Sequence, residues 1–175
     1  MRKVFYSFDY KPDVFRVQQV RNMGIVSDKP LLSANKWEEV RQKGGSAIKK
    51  WIDDNMVGRS CVVVLVGSNT ANKKWVKYEI KKAWNDGKGL VGIYINNLKC
   101  AKGGYSAKGL NPFAQFNLDG KPLSSVVKCY TPPIFTIESI LTGNPISKGK
   151  AAYKNIEENI EDLVEEAIII RSQYK

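Results

Sequence analysis

The chain has 175 residues, of which 43% are hydrophobic and 26% are charged, and its formal net charge is +11. These proportions are typical of a globular protein, and the length predicts one domain over residues 1–175. The chain contains no histidine, which excludes Ser-His-Asp and Cys-His nucleophile systems and argues against a transition-metal site. No apolar stretch approaches the roughly 18 residues of a membrane span, and no signal-peptide core begins the chain, so a cytoplasmic protein without membrane contact is expected.

The lysine and arginine residues that give this charge are spread along the chain rather than gathered in a block. A basic surface favours anionic partners such as nucleotides, anionic membranes and nucleic acid. No recognised nucleic-acid-binding motif is present, so nucleic acid is not an expected partner. The charge is interpreted mainly as solvated surface, with steering of an anionic ligand toward the protein as a secondary effect.

The first third of the chain alternates strand and helix patterns. Residues 3–8 form an apolar run that predicts a first strand, and residues 14–23 show the apolar spacing of a helix. A short second strand is predicted at residues 24–27. Two helical segments, 37–42 and 46–56, are predicted before the next strand, because two glycines break the pattern between them.

Residues 60–86 contain the clearest strand and helix signals. Cys61 to Val66 is an unbroken apolar run rich in β-branched residues, which predicts a strand buried on both faces of a parallel sheet. The next four residues are of turn and helix-capping types. From Thr70 the apolar residues recur at helical spacing, and Asn85-Asp86-Gly87 ends the pattern, so a helix is predicted to begin near Thr70.

Two residues of this helix lie outside its apolar stripe. Trp75 and Glu79 are four positions apart and therefore share one helix face. The helix follows the carboxyl end of a buried strand, where open α/β sheets bind ligands. A carboxylate beside an indole at that place predicts a site that holds sugar hydroxyls next to a phosphate. The pattern alone leaves a second interpretation open, in which Glu79 is a solvated residue on an exposed face.

The last part of the chain departs from the regular alternation. Residues 90–95 predict another strand, and residues 96–125 predict a loop-rich insertion that is either a lid over the site or a packed surface excursion. Residues 126–130 predict a further strand, residues 134–147 show no regular pattern, and residues 152–173 predict a C-terminal helix. Strands alternating with helices predict an α/β fold with a central parallel sheet of about five strands and helices on both faces.

Several short motifs resemble those of one protein family. Ser68, Trp75 and Glu79 form the pattern S-x6-W-x3-E, which resembles the catalytic signature of TIR domains, and K-V-F-Y-S-F-D-Y at residues 3–10 resembles the first TIR strand. The chain resembles in particular the TIR-like signalling subunit of bacterial Thoeris anti-phage systems. That likeness covers most of residues 3–130. It rests on the motifs F-x-S-F at residues 5–8, W-V-x-Y-E-I at 75–80, G-I-x-I-N at 92–96 and K-G-x-N-P-F at 108–113.

The resemblance implies a TIR-like (flavodoxin-like) three-layer fold and an enzyme that cleaves the nicotinamide–ribose bond of NAD⁺. NAD⁺ is then the substrate, and no cofactor and no metal are predicted. Nicotinamide leaves as a neutral molecule from a cationic precursor, so the reaction needs a group that stabilises an oxocarbenium-like transition state rather than a general acid. The resemblance implies that Glu79 is this catalytic carboxylate. The residues implied to bind the substrate are Phe8, Asp9, Tyr10, Trp37, Ser68 and Trp75.

The resemblance to Thoeris subunits further implies that the ADP-ribose unit is cyclised. The product is then a diffusible nucleotide signal that activates a separate effector protein in anti-phage defence, and a homo-oligomer is expected in the active state. Two alternatives stay open at this point, a non-catalytic TIR-like scaffold and a nucleotide-binding interaction module. Nicotinamide release from NAD⁺ distinguishes the enzyme from both.

Overall fold

A computed structural model of the protein describes residues 2–24, 34–101 and 104–174, without the side chains of residues 34–37. The strands are β1 (Val4–Ser7), β2 (Cys61–Val66), β3 (Gly89–Tyr94), β4 (Asn117–Leu118), β5 (Lys121–Pro122) and β6 (Cys129–Tyr130). The helices are α1 (Tyr10–Arg21), α2 (Ala34–Gln42), α3 (Gly45–Met56), α4 (Lys74–Asn85), α5 (Ile137–Thr142) and α6 (Lys148–Ser172).

Four strands form a parallel sheet in the order β1-β2-β3-β6, and β4 pairs with β5 in a separate antiparallel hairpin. All residues of β2 and β3 are buried, because each of these strands has a neighbour on both sides and helices over both faces. The predicted α/β fold with a central parallel sheet is confirmed. The described part of the chain contains four strands of that sheet. The strand predicted at 24–27 lies outside the described residues except for Gly24.

Residues of β2 alternate between two apolar clusters, one on each face of the sheet. The odd-numbered residues pack against α1 and α6. The even-numbered residues pack against α3, α4 and Phe113 of the insertion. The helix that carries Glu79 therefore lies on the second face, and the carboxyl ends of the parallel strands all reach the same edge.

Helices α1 and α4 do not begin where the sequence predicted. Thr70–Asn72 forms a single 3-10 turn, and α4 starts only at Lys74. The Thr70 hydroxyl accepts a hydrogen bond from the backbone N–H of Gly67 at 2.9 Å, so Thr70 closes the loop after β2 instead of capping α4. Helix α1 starts at Tyr10, four residues before the predicted start. Pro12 fits into this first turn because N–H groups there have no partner within the helix.

The region after the insertion also differs from the predictions. Strand β6 has two residues where five were predicted, because the backbone N–H of Val127 bonds to Leu123 in a turn instead of extending the strand. Helix α5 lies within residues that showed no regular pattern. It is stabilised by a capping box in which Thr136 and Ser139 bond to each other's backbone N–H groups. Helix α6 has 25 residues, but no described helix is both long and apolar enough to cross a membrane.

Candidate active site

Glu79 lies in the second turn of α4, at the carboxyl edge of the sheet. Its carboxylate accepts a hydrogen bond from the hydroxyl of Ser7, which is the last residue of β1. The residue is only 6% exposed. The interpretation of Glu79 as a solvated surface residue is therefore wrong, because the buried face of α4 is wider than its apolar stripe and includes this carboxylate.

The buried surroundings of Glu79 disfavour the ionised form of its carboxyl group. Burial raises the pKa of Glu79 to about 8, and the hydrogen bond from Ser7 opposes this rise because it favours the ionised form. Within the described part of the chain, no cationic side chain adds to these two influences. A cation that entered the site would supply the missing charge and lower the pKa of Glu79. The site is therefore electrostatically complementary to a positively charged ligand.

Replacing Glu79 with glutamine is expected to change how stability depends on pH. Between the ordinary pKa of about 4.5 and the folded-state pKa of about 8, the folded protein holds a proton that the unfolded chain releases. Raising the pH through this window therefore favours unfolding of the wild type, and glutamine removes the effect. The gain in free energy of unfolding from Glu79→Gln should grow by about 1.4 kcal/mol for each pH unit across the window and then level off.

Denaturant unfolding of both proteins at several pH values between about 5 and 9 measures this difference. Taking the difference between the two proteins cancels the contribution of Asp13, whose pKa is also raised by burial, to about 6. A difference that stays constant with pH would show that Glu79 does not titrate in this range.

Aromatic rings lie on the segments that flank Glu79. The rings of Phe8 and Tyr10, directly after β1, stack with their centroids 5.8 Å apart and their planes at 28°. Trp75, one turn before Glu79 on α4, is half-buried and meets the Tyr78 ring edge-on, with centroids 6.0 Å apart. These flat surfaces beside a carboxylate suit a ligand that has planar rings.

Asp9 differs from Glu79 in having a cationic partner. Its carboxylate is buried and lies 3.0 Å from Nζ of Lys73, the residue that precedes α4. This ion pair connects the start of α1 to the start of α4. The two carboxylates of the edge therefore differ in charge balance, because that of Asp9 is neutralised within the protein and that of Glu79 is not.

The other two predicted site residues are Ser68 and Trp37. Ser68 is exposed, and its backbone carbonyl packs near Gly109. The side chain of Trp37 lies outside the described residues, although its backbone is part of α2. The structure brings Phe8, Asp9 and Tyr10 to the strand end at which Glu79 is bound. That these residues line one concave pocket with Ser68 and Trp75 stays a prediction.

Three residues of this edge were not predicted from the sequence. Ser7 was visible as a polar residue at the carboxyl end of an apolar strand, which is a usable signal. Lys73 gave no signal, because it is one of several lysines around α4. Asp13 packs against Gly67, and its Oδ2 is buried without a hydrogen-bond partner in the described part of the chain.

The described residues contain no group of three Cys, Asp or Glu side chains arranged to hold a metal ion.

The comparisons with known proteins agree with the geometry of this edge. A family model described as "Thoeris protein ThsB, TIR-like domain" matches residues 5–100. The chain belongs to this family. The matched residues include most of β1, with Ser7, and all of α4, with Trp75 and Glu79, so the predicted resemblance to TIR-like Thoeris proteins is confirmed.

One relative in the ThsB family is a protein of Bacillus cereus (strain MSX-D12) named "Putative cyclic ADP-D-ribose synthase ThsB1". The two proteins are 37% identical over 131 residues, which cover 70% of this chain and 68% of the relative.

Proposed function

We propose that this ThsB-family protein cleaves the nicotinamide–ribose bond of NAD⁺ and closes the ADP-ribose unit into a cyclic nucleotide. The observation that carries the proposal is the buried carboxylate of Glu79, which Ser7 orients and no described cation neutralises. NAD⁺ presents the cation that such a site lacks, on the ring that leaves in the reaction. The name of the relative, "Putative cyclic ADP-D-ribose synthase ThsB1", supports the same chemistry.

The reaction begins with cleavage of the bond between C1′ of the ribose and N1 of the pyridinium ring. The bonding electrons go to N1, so nicotinamide leaves as a neutral molecule and the positive charge moves to C1′ and the ring oxygen. Ionised Glu79 stabilises that charge, and this interaction is strong because the site is shielded from water. Phe8, Tyr10 and Trp75 provide faces for the planar rings, and Asp9 and Ser68 are proposed to contact the ribose or the amide.

A nucleophile of the same ADP-ribose unit then forms the new bond to C1′. The nucleophile loses a proton in this step, and a carboxylate whose pKa is raised to about 8 is basic enough to accept it. Capture by water instead gives linear ADP-ribose, so a site that excludes water favours the cyclic product. Each turnover converts one NAD⁺ into nicotinamide, a cyclic nucleotide and one proton.

NAD⁺ is the substrate in this proposal, and no separate cofactor takes part. The cyclic product acts as a diffusible signal on a separate effector protein, and assembly into a homo-oligomer completes the active state. Incubating the protein with NAD⁺, over a range of protein concentrations, and separating the products tests the proposal. Nicotinamide together with a cyclic nucleotide is the expected result. No nicotinamide at any concentration would favour a non-catalytic scaffold.

Replacing Ser7 with alanine is expected to move the pH dependence of the reaction. Ser7 donates a hydrogen bond to the form of Glu79 that the reaction needs, and a bond to a charged group contributes about 1.5–3 kcal/mol. Its loss should raise the pKa of Glu79 and shift the acidic limb of kcat/KM upward by about one to two pH units. Activity near neutral pH should fall about tenfold or more.

Ser60→Ala is the matched control, because Ser60 precedes β2 at the opposite edge of the sheet and its hydroxyl bonds to the Lys3 carbonyl. A Ser7→Ala protein with lower activity but an unshifted pH profile would show that Ser7 supports only the fold.

A further inference from the structure

The K-G-x-N-P-F segment at residues 108–113 contains one residue whose functional group is exposed and charged. Asn111 accepts a hydrogen bond from the backbone of Phe113 at 2.9 Å, and the Phe113 side chain is completely buried in the core. A Cβ on Gly109 would lie 2.1 Å from the carbonyl oxygen of Gly67, so glycine lets the segment rest directly on the end of β2. Lys108 is the one charged residue of the segment, and its side chain is exposed.

Lys108 is held at the carboxyl edge of the sheet by two contacts. Its Nζ lies 4.3 Å from the centroid of the Tyr94 ring, at the end of β3, and donates a hydrogen bond to the Thr131 hydroxyl at 3.0 Å. An ammonium group has three donors, so the bond to Thr131 leaves two of them for a ligand. The Thr131 hydroxyl, which accepts from Lys108, keeps its own hydrogen to donate to the same ligand.

The charge of Lys108 is not balanced by the protein. No carboxylate lies within ion-pair distance of its Nζ in the ranges that the structure describes, whereas Lys73 at the other end of the edge is paired with Asp9. The edge therefore carries an uncompensated positive group at Lys108 and an uncompensated acidic group at Glu79. A ligand that fits both has a cationic part and an anionic part.

The register of the sheet sets the separation of these two groups. Ser7 of β1 pairs with Val64 of β2, and Tyr94 of β3 pairs with Val66, so Ser7 and Tyr94 point to the same face. They are two strand spacings apart across the sheet, about 10 Å, and two residues apart along it, about 7 Å, so roughly 12 Å separates them. A ligand bound at Glu79 reaches Lys108 only if it extends across the end of β2.

We propose that Lys108 and Thr131 bind the phosphate groups of the dinucleotide whose nicotinamide ribose lies against Glu79. The assignment rests on the proposed function, in which NAD⁺ is the substrate. NAD⁺ has a cationic nicotinamide ring at one end and an anionic diphosphate toward its middle, which matches the order of the two unbalanced groups along the edge. The K-G-x-N-P-F segment thereby has a role in binding. Gly109 lets the segment pack on the end of β2, and Lys108 contacts the ligand.

Lys108→Met tests the assignment, because methionine keeps an apolar chain over the Tyr94 ring and removes the charge. ADP-ribose, which has the diphosphate without the pyridinium cation, is titrated calorimetrically against each protein. We expect Lys108→Met to weaken binding about tenfold or more, Lys108→Arg to retain most of it, and the loss to shrink as salt is raised. Lys148→Met is the matched control, since the Nζ of Lys148 lies 4.9 Å from the centroid of the Tyr105 ring, a contact of the same kind.

Turnover provides a second readout that a purely structural role would not move. Lys108→Met should raise KM for NAD⁺ about tenfold with little change in kcat, and leave the cleavage of nicotinamide riboside, which has no phosphate, unchanged. Wild-type binding of ADP-ribose by Lys108→Met, an equal loss with the riboside, or no binding of ADP-ribose by the wild type would overturn the assignment. Lys108-dependent binding of ADP-ribose without nicotinamide release from NAD⁺ would support the phosphate site and contradict the proposed reaction.

Discussion

Glu79→Gln is expected to reduce nicotinamide release from NAD⁺ by about 10²–10³-fold. Glutamine keeps the size of the side chain and a hydrogen bond with Ser7, but it lacks the negative charge that stabilises positive charge on the ribose. Loss of one preorganised electrostatic contact in a site shielded from water costs about 3–4 kcal/mol in the transition state. The measurement is kcat and kcat/KM above about pH 8, where wild-type Glu79 is ionised.

The stability of the same variant makes this result interpretable. Glu79→Gln removes a buried group whose charge is disfavoured, so the variant should be at least as stable as the wild type at that pH. Lost activity in a protein that is more stable than wild type cannot be ascribed to unfolding. Glu161→Gln is the matched control, because Glu161 is exposed on α6, which covers the other face of the sheet. Wild-type turnover by Glu79→Gln would show that another group supplies the catalytic charge.

The parallel sheet could be predicted because its signals are local. The run from Cys61 to Val66 has β-branched residues at most positions and no polar residue, as a strand covered on both faces requires. The boundaries of the elements were less predictable, since they depend on single contacts. Thr70 is a good helix-capping residue by type, but its hydroxyl bonds to Gly67 N, and α4 starts four residues later.

The predictions for the site were likewise correct where they depended on local spacing and incomplete where they depended on contacts between distant segments. The spacing of Trp75 and Glu79 depends only on helical geometry, so it placed both residues on α4 correctly. The hydrogen bond to the Glu79 carboxylate comes from Ser7, which is 72 positions away in the sequence. The pairing of Asp9 with Lys73 is also between distant segments. Such contacts follow from the way β1 and α4 meet, and no periodicity in either segment reports them.

Gly109→Ala is expected to disturb both the fold and the phosphate site. The new Cβ would lie 2.1 Å from the Gly67 carbonyl oxygen and 3.2 Å from that of Ser68, and both atoms belong to backbone that cannot rotate away. The segment must therefore lift from the end of β2. Overpacking of this kind costs about 2–3 kcal/mol, which lowers the unfolding midpoint by roughly 4–12 °C in a chain of this size.

Gly45→Ala is the control for stability. Its Cβ would make an ordinary 3.8 Å contact with the Trp75 ring, and alanine favours the first turn of α3 more than glycine does, so the midpoint should hold or rise. Because lifting the segment also moves Lys108, Gly109→Ala should raise KM for NAD⁺ even at temperatures where the variant is fully folded. A wild-type unfolding midpoint in Gly109→Ala would show that the backbone at Gly67 yields to the added methyl group. Wild-type stability together with a raised KM would instead show that Gly109 affects only ligand binding.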